Sequence, residues 1–365
     1  MVIHGNHFLD CWESDSIRLI SLNWCDSVLI TIKMISRKLI RCLQLTLIVF
    51  GICNIIDSSL RVYEYLSGQF NRTAIYTFYR AFNKLLQGSI LIFGLRWDQL
   101  IRCVDLIETM NFEHLFPNQT KTGHSKIIKF NLLMAFPVLV SLIATICIDF
   151  NPFRDSQFIK STSYMIRFFL LPANIMKMFT IQSILIYLSI NLGNYFDIIN
   201  RKIIDFSRSV NRDNFHLNQI RCLYSSNIRA TQAAENFAVY IVASIYFECI
   251  CLNPIIFHRY FIDSSGSLIS SKFFYYMIKV VIMILMTYLF VSLNCQAYKS
   301  LEDLHKISLC RDIDQEEIQS FLLRMSQKNI GFTFLGLFVV NLNFIASLLT
   351  LTMTIVLYTQ TIINL

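Results

Sequence analysis

Long runs of apolar residues recur along this chain, with polar segments between them. Seven windows approach the roughly 20 mostly apolar residues that a helix needs to cross a bilayer. These windows are residues 42–56, 73–95, 128–149, 164–190, 233–257, 273–293 and 332–362. Residues 17–36 are interrupted by charged side chains and predict an amphipathic helix at the membrane interface instead. The pattern therefore predicts an all-α, polytopic membrane protein with seven transmembrane helices.

The composition agrees with a chain that is surrounded mostly by lipid. Hydrophobic residues make up 55% of the 365 residues, charged residues 15%, and the mean hydropathy is +0.51. A soluble domain typically contains about 25% charged residues. The net charge of +8 comes from basic residues that lie beside the apolar windows. We therefore interpret this charge as a sign of membrane topology and expect no nucleic-acid partner.

Lysine and arginine alternate in number from one connecting segment to the next. Segments 1–41, 96–127, 191–232 and 295–331 contain five, four, six and five of them. Segments 57–72, 150–163 and 258–272 contain two each. Because basic residues concentrate on the cytoplasmic side of membrane proteins, this alternation predicts a cytoplasmic N-terminus and an extracellular C-terminus. The orientation disfavours a G-protein-coupled receptor, which has seven spans the other way up.

One glycosylation sequon agrees with this orientation. Asn71 begins the triplet Asn-Arg-Thr in the first predicted outer segment, so it is a candidate for glycosylation. Asn118 begins a second such triplet, but it falls on the predicted cytoplasmic side and is expected to stay unmodified.

The last apolar window has no charged residue but carries a stripe of polar side chains. Their spacing of three or four residues places them on one face of a helix. They are Asn343, Ser347, Thr350, Thr354 and Tyr358, with Gln360 close by. Such a face can line an aqueous pore, because hydroxyl and amide groups replace part of the hydration shell of a cation. The alternative is that small hydroxylated residues permit close packing between helices.

A short amphipathic helix is predicted just before this window. Four acidic residues between positions 312 and 317 favour a helix start, because they oppose the helix dipole. The apolar residues that follow share one face outside the membrane, and they are Ile318, Phe321, Leu322 and Met325. This face predicts an anchor that packs either against neighbouring subunits or against the long inner helices of its own subunit.

Charged residues inside predicted spans are expensive and need partners. Arg80, Glu248 and Lys279 lie at similar depth, roughly 10 Å below the outer surface at 1.5 Å per residue. We expect Glu248 to pair with Lys279 or Arg80. These charged residues either form a structural salt bridge or contact a ligand directly.

Aromatic residues are concentrated in the same outer zone. A pocket for a small organic ligand is lined mostly by such side chains, with few polar groups. An interfacial aromatic belt or an ordinary core has the same sequence pattern. The candidates are Tyr79, Phe168, Phe169, Tyr246, Phe247, Tyr275 and Tyr276.

The last window also resembles the C-terminal signature of the insect gustatory receptors. Gly336, Leu337 and Phe338 resemble the element that opens the last helix of that family, and Gln360 resembles the glutamine near its end. Met353 and Thr354 stand where the family has Thr-Tyr. The predicted topology, length and loop pattern extend the resemblance over nearly the whole chain. The related odorant receptors, in the same superfamily of seven-span ligand-gated channels, are the nearest alternative.

The resemblance implies a tetrameric, non-selective cation channel that a small organic tastant opens in the plasma membrane of sensory neurons, in dendrites and axons. The expected partners are this tastant, membrane lipid and other subunits of the same family, including a co-receptor. The predicted organisation has four parts: a cytoplasmic segment (1–41), a six-helix ligand-sensing bundle with long cytoplasmic extensions (42–294), a cytoplasmic anchor (295–331) and a pore-lining last helix with a short extracellular tail (332–365).

The sequence contains no motif that indicates catalysis. A zinc-protease motif, a P-loop, a dinucleotide fingerprint and a nucleophile elbow are all missing from it. We therefore expect no enzyme activity, no cofactor and no bound metal. A secondary transporter is the remaining alternative of another class, although ten glycines in all fit poorly with the broken helices of transporters.

Overall fold

The computed structural model describes residues 38, 40–49, 51–56, 58–59, 62, 72–110, 162–208, 214–248, 269–309, 315–326 and 330–364. Of residues 72–80, 162–179, 214–215, 269–279, 355–357 and 359–364 it describes the backbone alone. The chain divides into two compact units, Met1–Leu47 and Ile48–Leu365. The described residues of the first unit, 38 and 40–47, are helical. All the elements named below belong to the second unit.

The second unit is mostly helical, as the sequence predicts. After the helical residues 51–56 come α1 (Arg72–Ser89), which continues into a π-helical turn (Ile90–Gly94), and α2 (Trp97–Thr109). Three long helices follow: α3 (Thr162–Arg208), α4 (Asn214–Phe247) and α5 (Ile269–Tyr298). The chain then forms α6 (Leu301–Ser308), α7 (Gln315–Ser326), the strands β1 (Thr333–Phe334) and β2 (Phe338–Val339), and α8 (Leu342–Asn364). The number of spans and the orientation of the termini stay predictions.

Several of the predicted windows coincide with helices. Residues 73–95 correspond to α1 with its π-helical turn, 164–190 lie within α3, and 273–293 lie within α5. With 47 residues, α3 is about 70 Å long, more than twice the thickness of a hydrocarbon core. Within the described residues, Val280–Ser308 is long and apolar enough to cross a membrane, and 44% of its most apolar window is buried. Residues 128–149 lie outside the described part.

The start of the last window differs from the prediction of one continuous helix. Residues 333–339 form an antiparallel hairpin in which Thr333 pairs with Val339 and Phe334 with Phe338. Leu335 and Gly336 have positive φ angles of 55° and 74°, which no helix accommodates. The last helix begins only at Leu342, and the Asn341 side chain accepts a hydrogen bond from the backbone N–H of Phe344 at 2.9 Å. The element that resembles the opening of a helix is therefore a turn.

The core lies where α3, α4 and α5 meet. Buried polar side chains join these helices through backbone carbonyls, because a donor without a partner would be costly there. Asn200 donates to the Gln296 carbonyl at 2.7 Å, and Asn227 donates to the Leu192 carbonyl at 3.2 Å. These contacts fix the second halves of α3 and α5 and the first half of α4 against one another.

Glycine permits one unusually close helix crossing. A Cβ atom on Gly88 would lie 2.8 Å from the Gly51 carbonyl oxygen, and one on Gly51 would lie 2.9 Å from the Gly88 carbonyl oxygen. Real Cβ atoms do not approach backbone this closely. The helical residues 51–56 and α1 therefore cross with their backbones in contact, as small residues allow in membrane helices.

Candidate functional site

The polar stripe of the last window lies on the exposed surface of α8. Asn343, Ser347, Thr350, Thr354 and Tyr358 are all exposed in the single subunit. Gln360 falls within α8, and its side chain lies outside the described residues. The hydroxyl groups donate to their own helix: Ser347 to the Asn343 carbonyl at 3.1 Å, Thr350 to Ala346 at 3.0 Å and Thr354 to Thr350 at 2.9 Å.

The opposite side of α8 makes a narrow contact with the rest of the subunit. Leu348 is buried there, and Phe344 and Thr352 are half-buried. The remaining surface exposes large apolar side chains that reach 67% exposure at Leu342 and Met353. Contiguous exposed apolar surface of this kind needs lipid or another protein chain to cover it. The face of α8 that carries the stripe is thus available to neighbouring molecules.

Three aromatic rings join α4, the hairpin and α8. The ring of Tyr246 lies 5.4 Å from that of Phe344 and 6.4 Å from that of Phe334, and the two phenylalanine rings lie 5.9 Å apart. Tyr246 is 2% exposed, and its hydroxyl forms a hydrogen bond of 2.8 Å with Thr287 Oγ1 on α5. We call Tyr246, Phe334 and Phe344 the aromatic junction. It connects two long helices of the bundle to the beginning of α8.

Polar contacts hold the chain before α8 against the same two helices. Thr333 donates its hydroxyl hydrogen to Glu235 Oε1 at 2.5 Å, and Asn294 donates to the Ile330 carbonyl at 2.8 Å. The Ile330 N–H donates to the Tyr298 hydroxyl at 3.0 Å. Residues 330–340 are therefore fastened to α4 and α5 at several points. The sequence does not predict these contacts, although Gly336 and the potential N-cap Asn341 are local signals of a turn before a helix.

Besides Tyr246, the structure describes the side chain of one residue of the predicted ligand pocket, Phe247. Phe247 is 39% exposed, whereas its neighbour Tyr246 is buried. The side chains of the remaining candidates lie outside the described residues, and these candidates are Tyr79, Phe168, Phe169, Tyr275 and Tyr276. A single cavity surrounded by these rings stays a prediction. Asn71 also lies outside the described residues, so its glycosylation stays a prediction as well.

Glu248 has a neutral partner in the structure. Its Oε2 atom accepts a hydrogen bond from Gln87 Nε2 on α1 at 3.0 Å. The side chains of Arg80 and Lys279 lie outside the described residues, so the expected ion pair stays a prediction. The Glu248 carboxylate lies where α1 meets the end of α4. Sequence spacing alone does not predict that these two elements are neighbours.

Buried amides continue this polar region along α1. Asn83 lies one helical turn before Gln87, and Asn54 lies beside the glycine crossing, 3.2 Å from where a Cβ on Gly88 would be. In the part of the chain that the structure describes, neither side-chain atom of Asn54 has a hydrogen-bond partner, and Asn83 Oδ1 has none either. Buried polar groups of this kind are usually satisfied by water or by a ligand.

The predicted anchor helix corresponds to α7. Ile318, Phe321 and Met325 are fully buried, and Leu322 is half-buried. The Phe321 ring lies 5.3 Å from the ring of Tyr224 on α4. The apolar face of α7 thus packs within its own subunit, which is one of the two alternatives that the sequence left open. Contact of α7 with other subunits stays a prediction.

Tyr224 lies at the centre of the packing among α3, α4, α5 and α7. Its hydroxyl donates to the Ala297 carbonyl at 3.0 Å, and its ring also lies 5.6 Å from that of Phe196. Burial raises the pKa of the Tyr224 hydroxyl well above its usual range. The group therefore stays neutral, and it fastens α4 to α5 beside the anchor helix.

Comparison with known proteins supports the fold but gives no sequence relative. No protein-family model matches the chain, and no curated protein sequence matches it significantly. The structure of the insect olfactory receptor OR5 from Machilis hrabei in complex with eugenol is similar over 90% of this chain and 99% of that chain, with a TM-score of 0.61 and 13% identity. A second structure of the same receptor covers 90% and 98%, with a TM-score of 0.57 and 15% identity.

These similarities define the class of fold. The chain has the fold of an insect olfactory receptor over almost the whole length of both proteins. The resemblance to the gustatory and odorant receptor superfamily is thereby confirmed at the level of the fold. The expected lack of catalytic activity stays a prediction.

Proposed function

We propose that this protein is a ligand-gated, non-selective cation channel of the plasma membrane, with a pore lined by α8 from several copies of the chain or its relatives. The observation that carries the proposal is the exposed polar stripe on α8, a helix that touches its own subunit along only one narrow side. The fold of an insect olfactory receptor supports it. A helix exposed in this way is suited to lining a conduit that several subunits share.

The hydrogen bonds of the stripe favour cations over anions. Each hydroxyl of Ser347, Thr350 and Thr354 donates its only hydrogen to a carbonyl of its own helix. Its oxygen lone pairs are left to accept, so they can replace water around a cation. The sequence of α8 contains no acidic residue that would bind a divalent ion tightly. We expect weak selectivity among cations.

We propose that ligand binding reaches α8 through the aromatic junction. A displacement of α4 moves Tyr246, which touches both the hairpin and the first turn of α8 through Phe334 and Phe344. Closely packed rings transmit such a displacement, because the interior of a protein is nearly incompressible. The contacts of residues 330–340 with Glu235 and Asn294 restrict this motion to a few arrangements.

The ligand we propose is a small organic molecule held by the predicted aromatic residues. The eugenol complex of the Machilis hrabei receptor, which has the same fold, supports this class of ligand. The buried amides Asn54, Asn83 and Gln87 would supply hydrogen bonds to a polar group of the ligand. The resemblance of the C-terminal segment favours a taste receptor of sensory neurons. An odorant-type receptor is the second candidate, which the olfactory structures favour.

Current recordings in cells that express this chain, alone and with a co-receptor of the same superfamily, test the proposal. A panel of small aromatic compounds should evoke a current that reverses near zero millivolts and persists when potassium replaces sodium. The matched control is the same cell without the chain. Ligand-dependent solute uptake without current in both arrangements would exclude a channel and favour a transporter.

A further inference from the structure

A polar groove of about 530 Å³ lies between the first half of α4 and α7. Guanidinium and hydroxyl groups line most of it: Arg221, Arg229, Arg324, Ser225, Ser226 and Ser320. We call it the arginine groove. It lies apart from the aromatic junction and the stripe on α8, and the proposed channel function does not use it.

The polar residues of the arginine groove are spaced so that they share one face of α4 and one face of α7. Arg221, Ser225 and Arg229 follow one another at intervals of four residues on α4, so they share one face. Ser320 and Arg324 have the same spacing on α7. An Arg324 guanidinium nitrogen donates to the Ser225 hydroxyl and joins the two walls. The packed rings of Tyr224 and Phe321 fix the distance between the two helices.

The groove carries positive charge that its own residues do not balance. None of the described residues that line it is acidic. Glu317 lies beside the groove and approaches Arg221 at 3.4 Å, so it offsets one of the three guanidinium charges. Arg229 and Arg324 are exposed and belong to opposite walls. Like charges that face the same concave space repel one another unless an anion lies between them.

We propose that the arginine groove binds a phosphate-bearing anion, namely an inositol phosphate group, either soluble or as the headgroup of a phosphoinositide lipid. Arginine binds phosphate oxygens in bidentate fashion, and serine hydroxyls donate to the remaining oxygens. The volume lies in the range of about 300–1,000 Å³ that is typical of small-molecule sites, larger than a single phosphate ion requires. Two inner helices joined by such an anion would be held more firmly together.

Calorimetric titration of the purified full-length protein with inositol trisphosphate tests this site. The variant is the double substitution Arg229→Gln with Arg324→Gln. The matched control is Arg96→Gln with Arg102→Gln, which removes two exposed arginines that do not line the groove. We expect the groove variant to bind at least about tenfold more weakly, which corresponds to about 1.4 kcal/mol. Binding to the wild-type protein should also weaken as salt rises.

Lipid nanodiscs distinguish the two sources of the anion. If a phosphoinositide is the ligand, protein in nanodiscs with phosphatidylinositol bisphosphate should no longer bind inositol trisphosphate, whereas phosphatidylserine at equal charge should not block it. If the ligand is soluble, neither lipid should block it. The proposal is overturned if the wild-type protein does not bind inositol trisphosphate, or if the control variant loses as much affinity as the groove variant. It is also overturned if the groove variant keeps its affinity, and a change of assembly state in that variant would instead identify the groove as a contact between subunits.

Discussion

A threonine hydroxyl that donates to its own helix has no hydrogen left for an anion. This is the state of Thr354, whose Oγ1 lies 2.9 Å from the Thr350 carbonyl oxygen. Its lone pairs and its exposed position suit contact with a cation or water. The consequence can be tested at this one residue, because a lysine and an aspartate in place of Thr354 change the electric field there in opposite directions.

We predict that Thr354→Lys reduces the cation current at least about tenfold, while Thr354→Asp preserves it. The repulsion between unit charges 4 Å apart is about 4 kcal/mol at an effective dielectric constant of 20, and about 1.4 kcal/mol suffices for a tenfold change. The measurement is whole-cell current at matched surface expression. An unchanged current in the lysine variant would remove Thr354 from the pore.

Tyr246 combines a hydrogen bond and two ring contacts, and two substitutions separate them. Tyr246→Phe keeps the rings but loses the bond to Thr287 Oγ1, so it should lower stability by about 1 kcal/mol and leave gating intact. Thr287 still donates to the Met283 carbonyl. Tyr246→Ala should instead shift the ligand dose–response. The readouts are thermal unfolding in detergent and ligand-evoked current. Equal dose–response curves for wild type and Tyr246→Ala would rule out transmission through the junction.

Cys103 provides a pH-dependent test of the packing of α2 against α4. Burial raises its pKa from 9.0 to about 12, against a smaller lowering by a hydrogen bond with the Ala234 backbone. The neutral thiol therefore contributes stability that is fully present below pH 9.0 and is lost as the pH rises toward 12. Maleimide at pH 8 should label the exposed Cys222 and spare Cys103 until the protein unfolds. Mass spectrometry checks this, and rapid labelling of Cys103 in the folded protein would contradict its burial.

At the scale of elements, helices form where apolar periodicity supports them and end where the backbone must turn. Trp97, Leu100, Cys103 and Ile107 repeat at helical spacing, and all four are buried in α2. The Trp97 ring packs 5.3 Å from that of Phe237 on α4. The hairpin before α8 shows the opposite case, since apolar character alone predicted a helix there. The positive φ angles of Leu335 and Gly336 prevent one.

The glycine crossing gives a prediction about two elements at once. Gly88→Ala should destabilise the protein by about 1–3 kcal/mol, because the new Cβ would lie 2.8 Å from the Gly51 carbonyl oxygen and must push the helices apart. Gly94→Ala is the matched control, since the three atoms nearest to its Cβ all belong to the Ile90 side chain, at 3.2 Å and beyond, and none to a backbone. Thermal unfolding of both variants is the measurement. Equal melting temperatures for the two would contradict the close crossing.

At the scale of the whole molecule, the distribution of charge predicts the orientation of the chain in the membrane. The alternation of lysine and arginine predicts that an epitope tag after Leu365 is accessible on intact cells. A tag before Met1 should be accessible only after permeabilisation, and it is the matched control. Antibody labelling in flow cytometry decides between the two orientations. If the N-terminal tag is labelled on intact cells, the orientation of the chain in the membrane is the reverse of the predicted one.

The sequence is most informative where the relevant interactions are local. The polar residues on one face of α8 and the apolar face of α7 follow from spacing alone, and their exposure and burial in the structure agree with that spacing. Glu248 illustrates the limit. The sequence predicts only that this residue lies within a span, whereas its hydrogen-bond donor Gln87 is 161 residues away along the chain. No periodicity specifies which of several helices will be its neighbour.

The sequence by itself determined the helical class and the polar face of the last helix, because each depends on residues within a few turns of one another. Only the tertiary structure decided that Tyr246 meets Phe334 and Phe344, and that arginines from two helices share one groove. These pairings depend on which helices lie side by side. Packing across the whole chain settles that choice, since many side chains of similar hydrophobicity would satisfy any single position equally well.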